Sequence, residues 1–473
     1  MPLWILWFQA VRSLRPACAR FRTFAWMVLI LAGFCIRQDH LGVTSFVRCF
    51  GLAPSAYPRF LHLFHSTGLN LEALTALWAR LVLRLFQALE VNGALLVLAD
   101  GIKAPREGRK MPAVKSLHQE STNNTKPPYI MGHSLQALSV LVRSPAGTVA
   151  AIPITARIHE GVVFSNRDRR TLLDKLVVLL RTLDKACQRP MILIADAYYA
   201  SQKVIEPLLA QGHHLVTRGR INTVAYLPAS PPTKAKRGRP RRYGAKIRLR
   251  DLAAVKKGWT TAPSPIPGEG NVTVTFRHAD LLWRPTGRRV RFVIVHHPKR
   301  GTIFLMATNL TLAPLEILLL YSYRFRIEVG FRQAIQVLGA YAYHFWMRDM
   351  HPIRKGDGNQ HPHHETPKYR DDIRRKISAY HRFVQLGCIA QGLLLHLAVN
   401  HGPTVWNHFK SWMRTMNLNA PPSERVVASA LRETAREFLA NHAETQTLHK
   451  FLAPYQPHED PHDAEIQKLT RSA

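Results

Sequence analysis

The sequence predicts a mixed α/β fold flanked by helical regions, and three observations carry that prediction. Two short apolar runs, ALLVLAD and MILIAD, read as buried strands of the parallel type, and each closes on an aspartate. Between them, RDRRTLLDKLVVLLRTLDKAC puts Leu172, Leu173, Leu176, Val177, Leu180 and Leu183 on one helical face. Both ends of the chain carry apolar residues at helical spacing instead of strand alternation.

Residues 1–90 read as helical. Phe24 to Ile36 (FAWMVLILAGFCI) is an uncharged apolar run preceded by Arg12, Arg15, Arg20 and Arg22. Its 13 residues (36 − 24 + 1) fall short of the ~17–25 that cross a bilayer as a helix. No small-residue cleavage pattern follows it, so a buried core helix is expected, with no membrane partner. HLGVTSFVRCFGL and YPRFLHLFHS then flank a break at Pro54, with Arg48 and Arg59 near it. That layout suits a helix-turn-helix contacting DNA; the alternative is an ordinary small helical bundle. LEALTALWARLVLRLFQALE closes the region as a helix.

From 91 to 220 the chain turns to strands and then alternates. ALLVLAD is followed by YIMGHSLQALSVLV and TVAAIPITARI, expected as antiparallel neighbours, then by the Leu-rich helix. Strand MILIAD, helix SQKVIEPLLAQG and strand HHLVTRG come next. This order is that of a ribonuclease-H-like core. Residues 221–290 interrupt it with a Pro-rich basic stretch, PASPPTKAKRGRPRRYG, and short alternating runs that look like a β insertion. Core strands resume at 291–345, where RRVRFVIVHH and TIFLMATN form a hairpin and one long helix runs from about Pro314 to Leu338. Residues 346–473 hold a polar, His-rich loop and C-terminal helices.

Lys and Arg outnumber Asp and Glu by 65 to 30, a formal charge of +35 spread along the whole chain. Such a surplus speaks to partners, and a polyanion is the first candidate. Five scattered cysteines without CxxC spacing exclude a zinc ribbon and a disulfide framework, and fit reduced thiols in the cytosol. His351, His361, His363 and His364 lack fixed ligand spacing, and His133 reads as a satisfied core histidine.

Asp100, Asp196 and Glu328 are the candidates for chemistry. Singly, Asp100 before Gly101 suits a hairpin turn, and Asp196 suits a helix cap. Together, a ribonuclease-H-like sheet sets its first and fourth strands side by side, so both carboxylates could share two metal ions ~3.5–4 Å apart. Glu328 lies on a helical face with Tyr321, Arg324 and Ile335, and Phe331 and Arg332 stand beside it. An exposed ion pair alone explains the arginine but not the tyrosine.

YSYRFRIEVGF resembles the Tyr-x2-Arg-x3-Glu-x6-Lys signature of one branch of bacterial insertion-sequence DDE transposases. Tyr321, Arg324 and Glu328 match; Ile335, followed by Gln336, stands at the lysine position. KRGRPRRYG and the VIVHHP–FLMATNL pairing are similar to segments of that family, and the likeness spans about 24–345. The resemblance implies that Asp100, Asp196 and Glu328 are catalytic and hold two Mg²⁺, with Mn²⁺ as a substitute. It implies DNA cleavage at the element's terminal inverted repeats and strand transfer of the 3′-hydroxyl into target DNA. Tyr321 and Arg324 would hold phosphates, with Arg332 or Lys103 in the role of the missing lysine. A homodimer on paired ends and a cytoplasmic, nucleoid-associated bacterial enzyme are further implications. Arg237-Gly238-Arg239-Pro240 resembles an AT-hook core whose arginines enter the minor groove; the alternative is a solvated basic linker. The rivals to the transposase reading are an inactive relative that only binds DNA and a nuclease of the same fold without strand transfer.

Overall fold

The computed structural model describes residues 2–40, 42–119, 127–230, 241–441 and 445–457. Arg237 and Arg239 lie outside the described residues. Five helices open the chain: α1 (Leu3–Arg12), α2 (Phe21–Ile36), α3 (Thr44–Cys49), α4 (Tyr57–His65) and α5 (Leu71–Leu85). Asn70 caps α5 by accepting from Ala73 N at 3.0 Å. Ten residues of α2 are buried, Phe24, Met27 and Leu29 to Cys35 among them, so the apolar run is a core helix. The α3 and α4 pair points Phe46, Phe60 and Phe64 inward, each fully buried.

Two short strands, β1 (Gln87–Ala88) and β2 (Glu90–Val91), lead into β3 (Ala94–Pro105). Then come β4 (Lys115–His118), β5 (Tyr129–Arg143), β6 (Val149–Ile158), α6 (Leu172–Cys187), β7 (Met191–Ala195), α7 (Gln202–Leu209) and β8 (His214–Arg218). A capping box, Thr171 with Asp174, starts α6. Strand β5 pairs antiparallel with both β3 and β6, while β7 runs parallel to β3 and to β8. The spatial order β6-β5-β3-β7-β8 is the ribonuclease-H-like core expected from the sequence, a mixed sheet with helical regions at both ends.

The segment read as an insertion is built into the same sheet. It comprises β9 (Val224–Pro228), β10 (Tyr243–Arg248), α8 (Leu249–Ala254), β11 (Thr260–Pro263) and β12 (Thr273–Trp283), and β12 pairs with the first of the resumed core strands, β13 (Arg288–His297) and β14 (Gly301–Ala307). The expected β13–β14 hairpin forms, and β14 then pairs antiparallel with β8. One fourteen-stranded sheet results among the described residues.

The single helix expected from Pro314 to Leu338 is three pieces. These are α9 (Pro314–Ser322), α10 (Phe325–Gln333) and a π-helical stretch, Ala334–Leu338, ended by Gly339 at φ 59°. No Gly or Pro marks the first break, so apolar spacing reads straight through it. The His-rich segment is a strap on the core: Met347 N donates to Lys110 O at 2.9 Å and Ser116 N to Asp357 O at 2.7 Å. Last come α11 (Pro367–Asn400), α12 (Gly402–His408), α13 (Glu424–Asn441) and α14 (Thr445–Leu452). Helix α11 is long and apolar enough to cross a membrane, but 89% of its apolar window is buried in the fold, as in a central core helix.

Candidate active site

Strand register brings the two aspartates together. In the parallel β3–β7 ladder Leu98 pairs with Ile194. Two residues further along each chain stand Asp100 and Asp196, which therefore leave adjacent strands on the same pleat face. Asp196 follows the last residue of β7, as expected. Asp100 does not end its strand: β3 continues to Pro105, with Gly101 opposite Gln136 and Ala104 opposite His133. The hairpin alternative for Asp-Gly fails because this long-range pairing holds the backbone extended.

The capping alternative for Asp196 holds as a local fact. Its Oδ1 accepts from Tyr198 N at 2.7 Å and caps the 3-10 turn Ala197–Tyr199. Asp100 Oδ1 accepts from Gly101 N at 2.8 Å, and its Oδ2 accepts from Arg324 Nη1 at 2.8 Å. Arg324 Nη2 also donates to Glu328 Oε1 one helical turn on. One guanidinium thus bridges a strand carboxylate and a helix carboxylate 228 residues apart in sequence (328 − 100). Helix α10 packs against β3 and carries Glu328 in its first turn.

Burial pushes the Asp100 carboxyl up to about 6, and the charges of Asp196 and Glu328 push the same way against the pull of Arg324. Tyr321 is half-buried beside Arg324; burial raises its phenol, and Arg324 and Arg218 oppose the rise. Arg324 and Tyr321 therefore share the cluster, as the signature spacing suggested. Arg332 is exposed and bonds to Gln336 Oε1 at 3.2 Å, away from the carboxylates. Lys103 donates to His118 O, and Ile335 is exposed on the π-helical stretch.

Three residues that spacing did not single out complete the surroundings. Gln136, Tyr199 and Thr217 are buried polar side chains touching the aspartate-bearing segments. For Gln136 and Thr217 the only sequence signal is a polar residue inside an otherwise apolar strand, and Tyr199, in the turn after β7, carries none. His133 is the satisfied core histidine expected: it accepts from Arg106 Nε at 3.2 Å and contacts Pro112 O at 2.9 Å.

The donor set is all oxygen, the preference of hard divalent cations, and negative charge exceeds the single arginine set against it. Among the described residues no three His, Cys, Asp or Glu side chains stand close enough to hold an ion as they are. The Arg324 guanidinium occupies the ground between Asp100 and Glu328. The residues fit a divalent ion in chemistry, while their present spacing is set by Arg324, the cation seated among them. The His361–His363–His364 cluster likewise forms no such group.

Paired carboxylates on the central strands of a ribonuclease-H-like sheet suit the chemistry of a metal-assisted nuclease. The chain matches the family model described as DDE superfamily endonuclease over residues 16–264, more than half its length, and belongs to that family. The match contains Asp100 and Asp196 and stops before Glu328. Family membership makes the protein an endonuclease with DNA as its substrate, of a kind that typically uses divalent metal ions. No curated protein matches the chain.

Proposed function

We propose that this endonuclease is a DDE transposase of the Tyr-Arg-Glu-Lys branch. In this reading it cuts DNA at the terminal inverted repeats of an insertion sequence and joins the freed 3′-hydroxyl to target DNA. The observation that carries the reading is the placement of Asp100 and Asp196 at matching register, with Glu328 tied to Asp100 through Arg324. Asp100, Asp196 and Glu328 would hold two Mg²⁺, and Mn²⁺ could replace them. Bound there, the ions supply charge stabilisation for an in-line displacement at phosphorus.

The chain's own side chains do the rest. Were a divalent ion held by the carboxylates, Arg324 would be free of bridging Asp100 and Glu328 and could donate to a DNA phosphate, for which a planar guanidinium is suited. Tyr321, beside it, adds a hydroxyl donor to the same phosphate. Partial burial of Asp100, 19% exposed, strengthens charge interactions at its end of the cluster. Tracts of basic surface carry the flanking duplex. A homodimer on paired DNA ends, in the bacterial cytoplasm at the nucleoid, completes the proposal.

Asp196→Asn tests it. Mg²⁺-dependent cleavage is expected to disappear while DNA affinity, measured by gel shift, stays within a few-fold of wild type. Equal loss of binding and cleavage would count against the assigned role. A strand-transfer assay with a pre-cut end separates the transposase from a nuclease that only cuts. Inverted repeats bounded by short direct duplications in the DNA around the gene would identify the element.

A further inference from the structure

We propose that Gln136, Tyr199 and Thr217 are positioning residues that fix the separation of Asp100 and Asp196 and so set the affinity of the site for its divalent ions. This rests on the metal-site reading above and extends it to side chains that no carboxylate motif includes.

Gln136 lies on β5, 1% exposed, and its Nε2 donates to Asp100 O at 3.0 Å. Its Oε1 accepts from the Tyr199 hydroxyl at 3.0 Å. The orientation of the amide follows from chemistry: Asp100 O can only accept, so the amide NH₂ faces it and the oxygen is left for the phenol. Tyr199, 4% exposed, stands in the 3-10 turn that Asp196 caps, and its own N donates to Asp196 O at 3.2 Å. Burial first, and the Asp100 charge second, hold the Tyr199 proton in place, so the phenol remains a donor. Thr217 on β8, fully buried, donates through Oγ1 to Asp196 O at 2.6 Å.

Each aspartate thus has its main-chain carbonyl held by a buried side chain from the neighbouring strand. Tyr199 and Gln136 link the two. The β3–β7 ladder ends at Leu98 and Ile194, so at the aspartates each strand is held by its outer neighbour, β5 or β8, and the side chains of Gln136, Tyr199 and Thr217 join those outer holds to the aspartate segments. Two ions ~3.5–4 Å apart need ligands held to within about 0.5 Å. Apolar residues would fill these positions without any buried polar group to satisfy, so plain core packing does not call for them. Gln136 and Thr217 end on the two aspartate carbonyls, and Tyr199 ends on Gln136.

The test uses the full chain, with Mn²⁺ binding followed by electron paramagnetic resonance of the free ion. Tyr199→Phe and Thr217→Val are expected to raise the Mn²⁺ dissociation constant by about 10- to 100-fold, the usual effect of removing an outer partner of a metal ligand. Thr217→Ser, which keeps the donor, is expected to bind as wild type does. Thermal midpoints in metal-free buffer check that each variant is folded, and the serine and valine pair keeps the test valid if Tyr199→Phe is not. The inference is overturned if Thr217→Val binds Mn²⁺ as tightly as wild type, or if Thr217→Ser is as impaired as Thr217→Val. A wild-type chain that binds no Mn²⁺ would overturn the metal-site reading and this inference together. Wild-type binding that Asp196→Asn abolishes, with Tyr199→Phe and Thr217→Val unaffected, would overturn the inference alone.

Discussion

Two regions supply the acidic residues, and they hold them differently. Asp100 and Asp196 come from adjacent parallel strands, each locked on both sides by other strands of the sheet. Glu328 comes from α10, a nine-residue piece of a broken helix, with a π-helical stretch after it. Far from the acid, that stretch is fastened by Arg37, which donates to Leu338 O and to Gly339 O. A sheet ladder fixes a residue to within a fraction of an ångström, whereas a helix between two breaks can rotate or slide as a unit. The strand pair is the fixed half of the site and the helix the adjustable half.

The largest expected effects set the two halves against each other. Asp100→Asn and Asp196→Asn are each expected to slow DNA nicking on the order of a thousandfold. Metal-held charge stabilisation contributes several kcal/mol, and each ~1.4 kcal/mol is tenfold in rate. Lengthening the fixed side by one methylene, Asp196→Glu, is expected to cost about a hundredfold, the usual result of misplacing a catalytic group by about 1 Å. Shortening the adjustable side, Glu328→Asp, is expected to cost less, because α10 can settle toward β3. Equal losses in nicking rate for the two length changes would break the contrast.

Removing the bridge comes next. Arg324→Met leaves Asp100 with its buried charge and no cation, and a fully buried pair broken this way costs about 3–5 kcal/mol. Here the partners are about one-fifth exposed, 22% for Arg324 and 19% for Asp100, so a loss of about 1–3 kcal/mol in denaturant unfolding is expected. Added Mg²⁺ should restore part of it, and a variant as stable as wild type without metal would mean that the bridge holds nothing.

On the strand side, pH offers a finer probe. Burial first, and then Arg106, lower the His133 imidazole to about 3. The unfolded imidazole takes its proton near pH 6.5, so the contribution is present above that and lost as pH falls toward 3. Between pH 7 and pH 5 the loss is about 2 kcal/mol, and His133→Gln should flatten the fall in thermal midpoint accordingly. The smallest change is Ile335→Lys. Ile335 is 47% exposed, so stability should shift by less than about 0.5 kcal/mol. One added phosphate contact should steepen the salt dependence of DNA binding by about one unit of slope, read from gel shifts at several salt concentrations.

The fold was legible where local pattern and tertiary role agree. The Leu172 to Leu183 face, the two apolar aspartate runs and the β13–β14 hairpin all read correctly because burial alone dictates them. Asp100 misled because Asp-Gly is a turn signal locally, and only the ladder to Gln136 and Ala137, some 37 residues on, keeps β3 extended (137 − 100). The break at Tyr323 and Arg324 was hidden because apolar spacing continues across it. Pairing of the insertion's β12 with β13 was hidden for a different reason, since strand alternation states which face is buried and not which edge is met. Arg332 shows the limit of spacing: it lies one turn from Glu328, yet its side chain turns to Gln336. Gln136, Tyr199 and Thr217 carry hydrogen bonds whose partners only the folded sheet brings near.

The terminal helices have a consequence for how the chain is made. Trp4 Nε1 donates to Leu431 O, Arg22 Nη2 reaches the Tyr455 hydroxyl, and Ala53 N donates to Tyr455 O. Helices α1 and α2 therefore find partners some 400 residues later in the chain. Helices α3 and α4 cover part of α2, but the faces of α1 and α2 that meet α13 stay open until it arrives, and closing a loop of some 400 residues is slow. A nascent or truncated chain lacking α13 and α14 is a natural client for chaperones that bind exposed apolar helices. Overproduction that outruns them should yield aggregate seeded at the amino terminus.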